Sequence, residues 1–229
     1  MRKLGPLKCI DLVQNDDAPW IVLFHGYGAD ASDLAPLAQE IASPNDWNWL
    51  FPEGFLDIPI GWNSMGRAWW PVNMEELQAA QLSGVPRDLS QGEPPGLELA
   101  YQKAQEMLSK LNIPWNQIIL GGFSQGAMLA TELYLRAPEA PRGLVILSGA
   151  CLKANVWREK AKERSGKTFF LSHGEQDPVL SIKGAQKLET ILTQAGMKGR
   201  LIRFSGGHEI PLKVMDELGK YLKSTIDNK

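Results

Sequence analysis

The sequence predicts an α/β protein, a three-layer sandwich with a mostly parallel central sheet. Two observations carry this. The apolar runs "IVLF", "WLF", "IIL", "LVIL" and "FFL" are continuous rather than alternating. That pattern suits central strands covered on both faces. Segments with helical apolar spacing alternate with these runs, and repeated strand–helix alternation places helices on both sides of one sheet.

Element by element, "LKCIDLV" near the start reads as part of an antiparallel edge hairpin. "WIVLF" (20–24) is rich in β-branched and aromatic residues and stops at "HGYG", so it is a buried strand. "SDLAPLAQEIA" (32–42) is a helix, with Ser32 placed as its N-cap. "WNWLFPEG" (47–54) is a strand closed by Pro and Gly. "GLELAYQKAQEMLSKL" (96–111) is a helix by apolar spacing. "QIILGGF" is a strand, "AMLATELYLRA" a helix, "GLVILSGA" a strand and "WREKAKERS" a short helix. "KTFFLSHG" (strand), "IKGAQKLETILTQAG" (helix), "GRLIRFSGG" (strand) and "PLKVMDELGKYLKS" (helix) complete the series. Residues 52–96 break the rhythm: apart from a helical piece near "NMEELQAAQL" they read as loop. A loop of that length in a compact domain is functional or disordered. Its content of Phe55, Trp62, Met65, Trp69 and Trp70 argues against disorder. One domain over 1–229, with a Trp-rich insertion at about 52–96, is expected.

At 229 residues the chain is long enough for a substantial core. With 44% hydrophobic residues, 22% charged residues and a net charge of -2, the composition is that of a soluble globular protein and offers no basic surface for nucleic acid. No apolar run reaches the ~18 residues of a membrane span. The basic start lacks the apolar core of a secretory signal. The two cysteines, Cys9 and Cys151, form neither a metal-ligand spacing nor a disulfide framework, and point to reduced thiols in a cytoplasm.

The chemistry gathers around "GGFSQG" (121–126). Gly122–Phe123–Ser124–Gln125–Gly126 is G-x-S-x-G, placed between a strand and a helix. In a nucleophile elbow the serine occupies a sharp turn, and the residues two positions away must be small. A serine nucleophile needs a base, and the chain has three histidines, His25, His173 and His208. The order serine, acid, histidine selects His208, in "FSGGHEIP". Asp177, in "SHGEQDPVL" after the preceding strand, is the acid expected to orient that imidazole, with Glu175 and Glu209 as competitors. The oxyanion donors are expected to be the backbone N–H groups of Gln125 and of Tyr27 in "HGYGAD", with His25 bracing that loop. The glycine-rich turn lacks the GK[ST] ending of a phosphate loop and is not G-x-G-x-x-G.

Taken in order, "FHGYGAD", "GGFSQGAMLA", "SHGEQDPVL" and "GGHEIP" resemble the phospholipase/carboxylesterase family of α/β-hydrolases, which includes small bacterial carboxylesterases and acyl-protein thioesterases. The resemblance covers nearly the whole chain. It implies the α/β-hydrolase fold, a triad of Ser124, Asp177 and His208, and oxyanion donation from Tyr27 and Gln125. The stretch "GRAWWPVNMEELQAAQLSG" departs from the thioesterases of the family and leaves the substrate class open.

The expected activity is therefore carboxylic-ester hydrolysis through an acyl-enzyme, with no metal and no organic cofactor. Lysophospholipase and acyl-protein thioesterase are the alternatives within enzymes, and a non-catalytic ligand-binding module is the alternative outside them. Trp62, Met65, Trp69 and Trp70 are expected to line an apolar pocket for a small-molecule or lipid-like acyl ester. No nucleic-acid partner and no integral membrane association are expected, and a homodimer stays open.

Overall fold

The computed structural model describes residues 1–41, 46–61, 63–83 and 88–227. Eight strands form one sheet in the order β1-β2-β4-β3-β7-β8-β9-β10. Strands β1 (Arg2–Leu4) and β2 (Leu7–Leu12) make the antiparallel edge hairpin, and β2 also pairs antiparallel with β4 (Asn48–Pro52). From β4 onward every pairing is parallel, through β3 (Trp20–Phe24), β7 (Ile118–Phe123), β8 (Gly143–Leu147), β9 (Phe169–Gly174) and β10 (Leu201–Phe204).

The continuous apolar runs are explained by two cores. Alternate residues of one strand serve opposite faces: Val22 and Phe24 of β3 pack in one core, Ile21 and Leu23 in the other. The first face is covered by α3 (Leu97–Ser109), α4 (Gln125–Arg136), α5 (Ala154–Lys162) and α6 (Ile182–Gln194). The second is covered by the short α1 (Leu37–Glu40) and by α7 (Leu212–Asp227). Helix α4 runs through the middle of the first core, and even its Glu132 is wholly buried, held by Arg136 at 3.0 Å, Lys153 at 2.8 Å and the Trp157 indole N–H at 2.5 Å. A buried carboxylate survives only with such a full set of donors.

Two expectations are corrected. Helix α1 starts at Leu37, five residues after the expected cap. Ser32 instead donates from both its backbone N–H (2.7 Å) and its hydroxyl (2.5 Å) to Asp30 Oδ1, so the aspartate organises a turn in place of a first helical turn. Ala42, the last residue of that expected helix, lies outside the described residues. The segment read as mostly loop also contains a hairpin, β5 (Leu56–Gly61) and β6 (Ser64–Ala68), before α2 (Met74–Ser83). Pro59, Gly61 and Gly66 hid these strands, because each is a poor strand former. Gly66 is needed for contact: a Cβ there would collide with the carbonyl of Gly28, so the hairpin lies directly on the loop after β3.

Candidate active site

Ser124, Asp177 and His208 lie in the loops or turns after β7, β9 and β10, and His25–Tyr27 follow β3. All are at the carboxyl ends of parallel strands, where a sheet of this kind opens into a crevice.

Ser124 is the cap of α4 and has φ 54° and ψ -117°, a conformation that side-chain-bearing residues avoid. Such strain costs about 1–3 kcal/mol and persists only where the surroundings impose it. Here they do. The Ser124 N–H donates to Leu147 O on β8 at 2.9 Å. A Cβ on Gly126 would collide with Phe24 O, and one on Gly122 would lie 2.5 Å from the same oxygen. The two glycines of G-x-S-x-G thus let strand β3, strand β7 and helix α4 converge at the serine. The N–H of Gln125 is the first of α4 and has no carbonyl within the helix to reach.

His208 donates from Nδ1 to Asp177 Oδ2 at 2.6 Å, and the Asp177 side chain is fully buried. Its other oxygen, Oδ1, accepts from the N–H groups of Val179 (2.8 Å) and Leu180 (2.9 Å). Burial pushes this carboxyl up, but hydrogen bonds from His173, His208 and the Leu180 N–H outweigh it and hold the group well below the usual carboxylate range. The competing acids are elsewhere. Glu175 is exposed, and Glu209 turns back to accept from Gly207 N–H at 3.2 Å. The His208 ring lies against Phe123, the residue before the serine, with centroids 4.7 Å apart.

His25 is buried, and its two ring nitrogens have distinct tasks. Nε2 accepts from Gly54 N–H at 2.9 Å, so Nδ1 carries the proton and donates to Gly26 O at 2.7 Å. Burial lowers its pKa to about 4 against the opposing pull of that Gly26 bond. The consequence is geometric. In a trans peptide C=O and N–H point opposite ways, so fastening Gly26 O to His25 turns the Tyr27 N–H away from the ring. The next N–H, of Gly28, is already committed to Arg67 O on β6 at 2.9 Å.

Tyr27, Ser124, Gln125 and His208 line one end of a cavity of about 810 Å³. Its wall comes largely from residues 70–77 and 88–95, among them Trp70, Val72, Leu77 and Leu89, and is completed by Met128 and Leu180. Of the four residues expected in an apolar pocket, Trp70 lines it. Trp69 does not. It is fully buried behind the wall, edge-on to Phe24, with its indole N–H donating to His25 O at 2.9 Å. Met65 does not either: it is 61% exposed on β6. Trp62 lies outside the described residues. The side chain of Gln125, which the motif treats as a free position, clasps the wall instead. Its Oε1 accepts from Trp69 N–H at 2.9 Å and its Nε2 donates to Trp70 O at 2.8 Å. Neither this clasp nor the contact of His173 with Asp177 has a local sequence signal, since each depends on where distant segments meet. Among the described residues no group of His, Cys, Asp and Glu side chains is arranged to hold a metal ion.

The sequence matches the phospholipase/carboxylesterase family over residues 9–226. This chain belongs to the phospholipase/carboxylesterase family. Acyl-protein thioesterase 1 of Eremothecium gossypii is 28% identical over 214 residues, covering 90% of this chain and 87% of its own. A probable carboxylesterase of Oryza sativa subsp. japonica is 26% identical over 216 residues, covering 90% and 77%. The crystal structure of esterase PE8 superposes with a TM-score of 0.77 at 27% identity, over 96% of this chain and 99% of that one. The fold is accordingly that of the α/β-hydrolases, and the expected class, carboxylic-ester hydrolysis, is that of the family.

Proposed function

We propose that this member of the phospholipase/carboxylesterase family hydrolyses acyl esters through Ser124, His208 and Asp177. The observation that carries the reading is the 2.6 Å bond from His208 Nδ1 to buried Asp177, made beside a serine held in a strained elbow. With Nδ1 engaged, Nε2 is the nitrogen left to take the serine proton. Ser124 Oγ attacks the acyl carbon, its proton passes to His208 Nε2, and negative charge collects on the carbonyl oxygen. The N–H groups of Tyr27 and Gln125 receive that oxygen. One such donor is worth about 3–4 kcal/mol in a site shielded from water. His208 then gives its proton to the leaving alcohol, and water, activated by the same imidazole, releases the acid and restores the serine. Asp177 keeps its charge throughout, holding the tautomer and stabilising the imidazolium.

The wall of Trp70, Val72, Leu77, Leu89, Met128 and Leu180 favours a lipid-like acyl chain over acetyl. Acyl-protein thioesterase activity is the second reading, favoured by the likeness to the Eremothecium gossypii protein; lysophospholipids are the third substrate class to compare. Hydrolysis of oxygen esters, thioesters and lysophospholipids from acetyl to palmitoyl tests all three. A maximum at acetyl overturns the lipid-like substrate, and hydrolysis retained in Ser124→Ala overturns the mechanism. We place the enzyme in the cytoplasm, where Cys9 and Cys151, both buried thiols with pKa values pushed up to about 12 by desolvation, stay reduced. No helix among the described residues is long and apolar enough to cross a membrane. Light scattering separates a monomer from the homodimer.

A further inference from the structure

Behind the acid lies a second histidine for which the mechanism has no task. His173 is on β9, fully buried. Its Nε2 is 2.8 Å from Leu180 O and 3.3 Å from Asp177 Oδ2, the same oxygen that accepts from His208. A carbonyl and a carboxylate can only accept, so Nε2 carries the proton. Nδ1 is buried and has no hydrogen-bond partner among the described residues. The ring is therefore oriented from one side only, by the acid loop.

We propose that His173 is a positioning residue for the reaction, holding the Asp177 carboxylate in the plane and charge distribution that His208 requires. The proposal rests on the Asp177–His208 reading above and deepens it. A carboxylate fixed by Val179 and Leu180 at Oδ1 alone could still swing Oδ2 about that anchor. His173, rooted in β9, a strand paired on both sides, restricts Oδ2 from behind while His208 approaches from the front. It also ties down Leu180, whose N–H serves Oδ1 and whose side chain lines the cavity. The two donors share one oxygen, so His173 draws charge from the bond that stabilises the His208 imidazolium. Charged groups close to it in the chain or in register are Glu175 in the same loop, Glu209 after His208, and Arg203, the register partner of His173 on β10; Glu175 and Arg203 are exposed, and Glu209 is engaged with Gly207.

The test compares His173→Phe with His173→Gln, whose side-chain amide N–H can reach the same two oxygens. Turnover of a medium-chain aryl ester is measured from pH 5 to 9, alongside urea unfolding, with Ser124→Ala and Asp177→Asn as references. His173→Phe is expected to lose about 10- to 100-fold in kcat with KM within about 2-fold, the range that a small misplacement of a catalytic group produces. Its acid limb is expected to move to higher pH by about 0.5 to 1 unit, because His208 alone then faces the Asp177 charge. His173→Gln is expected to recover most of both effects. A histidine that merely holds the loop would lower the urea midpoint but leave kcat and the acid limb in place, and that result overturns the proposal. So does His173→Gln behaving like His173→Phe. If His173→Phe does not fold, ring ¹⁵N shifts of the wild-type protein decide. The Nε2–H tautomer at His173 supports the proposal, and the Nδ1–H tautomer overturns it. If instead Ser124→Ala or Asp177→Asn keeps wild-type turnover, it is the mechanism itself that fails.

Discussion

The two ends of the cavity are built on different principles. At one end Ser124 and His208, with Asp177 behind, each follow a parallel strand of the eight-stranded sheet and are held by bonds between neighbouring strand ends, Ser124 N–H to Leu147 O and His208 Nδ1 to Asp177 Oδ2. At the other, the wall from residues 70–77 and 88–95 follows a hairpin and includes the start of helix α2, both outside that sheet, and it is fastened by contacts between residues some 55 positions apart in the chain, such as Gln125 with Trp69 and Trp70. Rigid strand ends can hold atoms to the tolerance that proton transfer needs. A wall held by a few clasps can change its lining without disturbing them. Chemistry and selectivity should therefore come apart under mutation.

The largest effect is expected at the strand-end side. Ser124→Ala should keep the fold and lower ester turnover by several orders of magnitude, since residues that act as a unit fail together. Asp177→Asn should cost about 10³- to 10⁴-fold, while Glu175→Gln and Glu209→Gln stay within about 3-fold of wild type. Steady-state kinetics of the four variants on one aryl ester checks this, and a crippled Glu175→Gln beside a normal Asp177→Asn would reassign the acid.

Next comes the brace beneath the Tyr27 loop. His25 titrates near its ordinary value of 6.5 when unfolded and at about 4 when folded, because burial disfavours its charged form. Between those values the unfolded chain binds more protons than the folded one, so stability should fall as pH drops from about 6.5 to 4. The contribution is at most about 3 kcal/mol, full above the unfolded value. Urea titrations at pH 7 and pH 4.5 measure it. His25→Gln should be less stable at pH 7 and lose less on acidification.

On the wall side, Gln125→Ala leaves the Trp69 N–H and the Trp70 carbonyl buried without partners, at about 1–3 kcal/mol each. The backbone N–H of residue 125 survives the substitution. Turnover of short esters should accordingly fall less than turnover of long ones, and an equal loss across chain lengths would erase the contrast between the two ends. The smallest effect is expected for Met65→Ser. That side chain is largely solvated on the hairpin, so stability and chain-length profile should both stay within error. A shift in the chain-length profile would bring the hairpin into the substrate site.

How much of this was legible beforehand follows the same division. The strands of the sheet are marked by runs of apolar residues, and their order of appearance with helices is a local signal. The serine turn is marked by two glycines that a close approach of backbones demands, and Asp177 and His208 by their places after the last two strands. Among the three histidines, chain order selected His208, whose Nδ1 bonds Asp177 at 2.6 Å, but not His173, which reaches the same carboxylate from β9. The hairpin was not legible, because Pro59, Gly61 and Gly66 suit contacts with other segments rather than strand propensity. Nor were the fates of the tryptophans and Met65: an aromatic or apolar residue in a long irregular segment carries no periodicity to say which way it faces.

By itself, then, the sequence determined the sheet, its two covering layers and the strand ends that carry Ser124, Asp177 and His208, since each depends on residues close together in the chain. Only the tertiary structure decided that Trp70 faces the cavity and Trp69 the core, that Gln125 clasps the wall, and that His173 stands behind Asp177. Those arrangements arise where segments far apart in the chain are brought within a few ångströms, and hydrogen bonds and packing at such distances leave no mark in local composition or spacing.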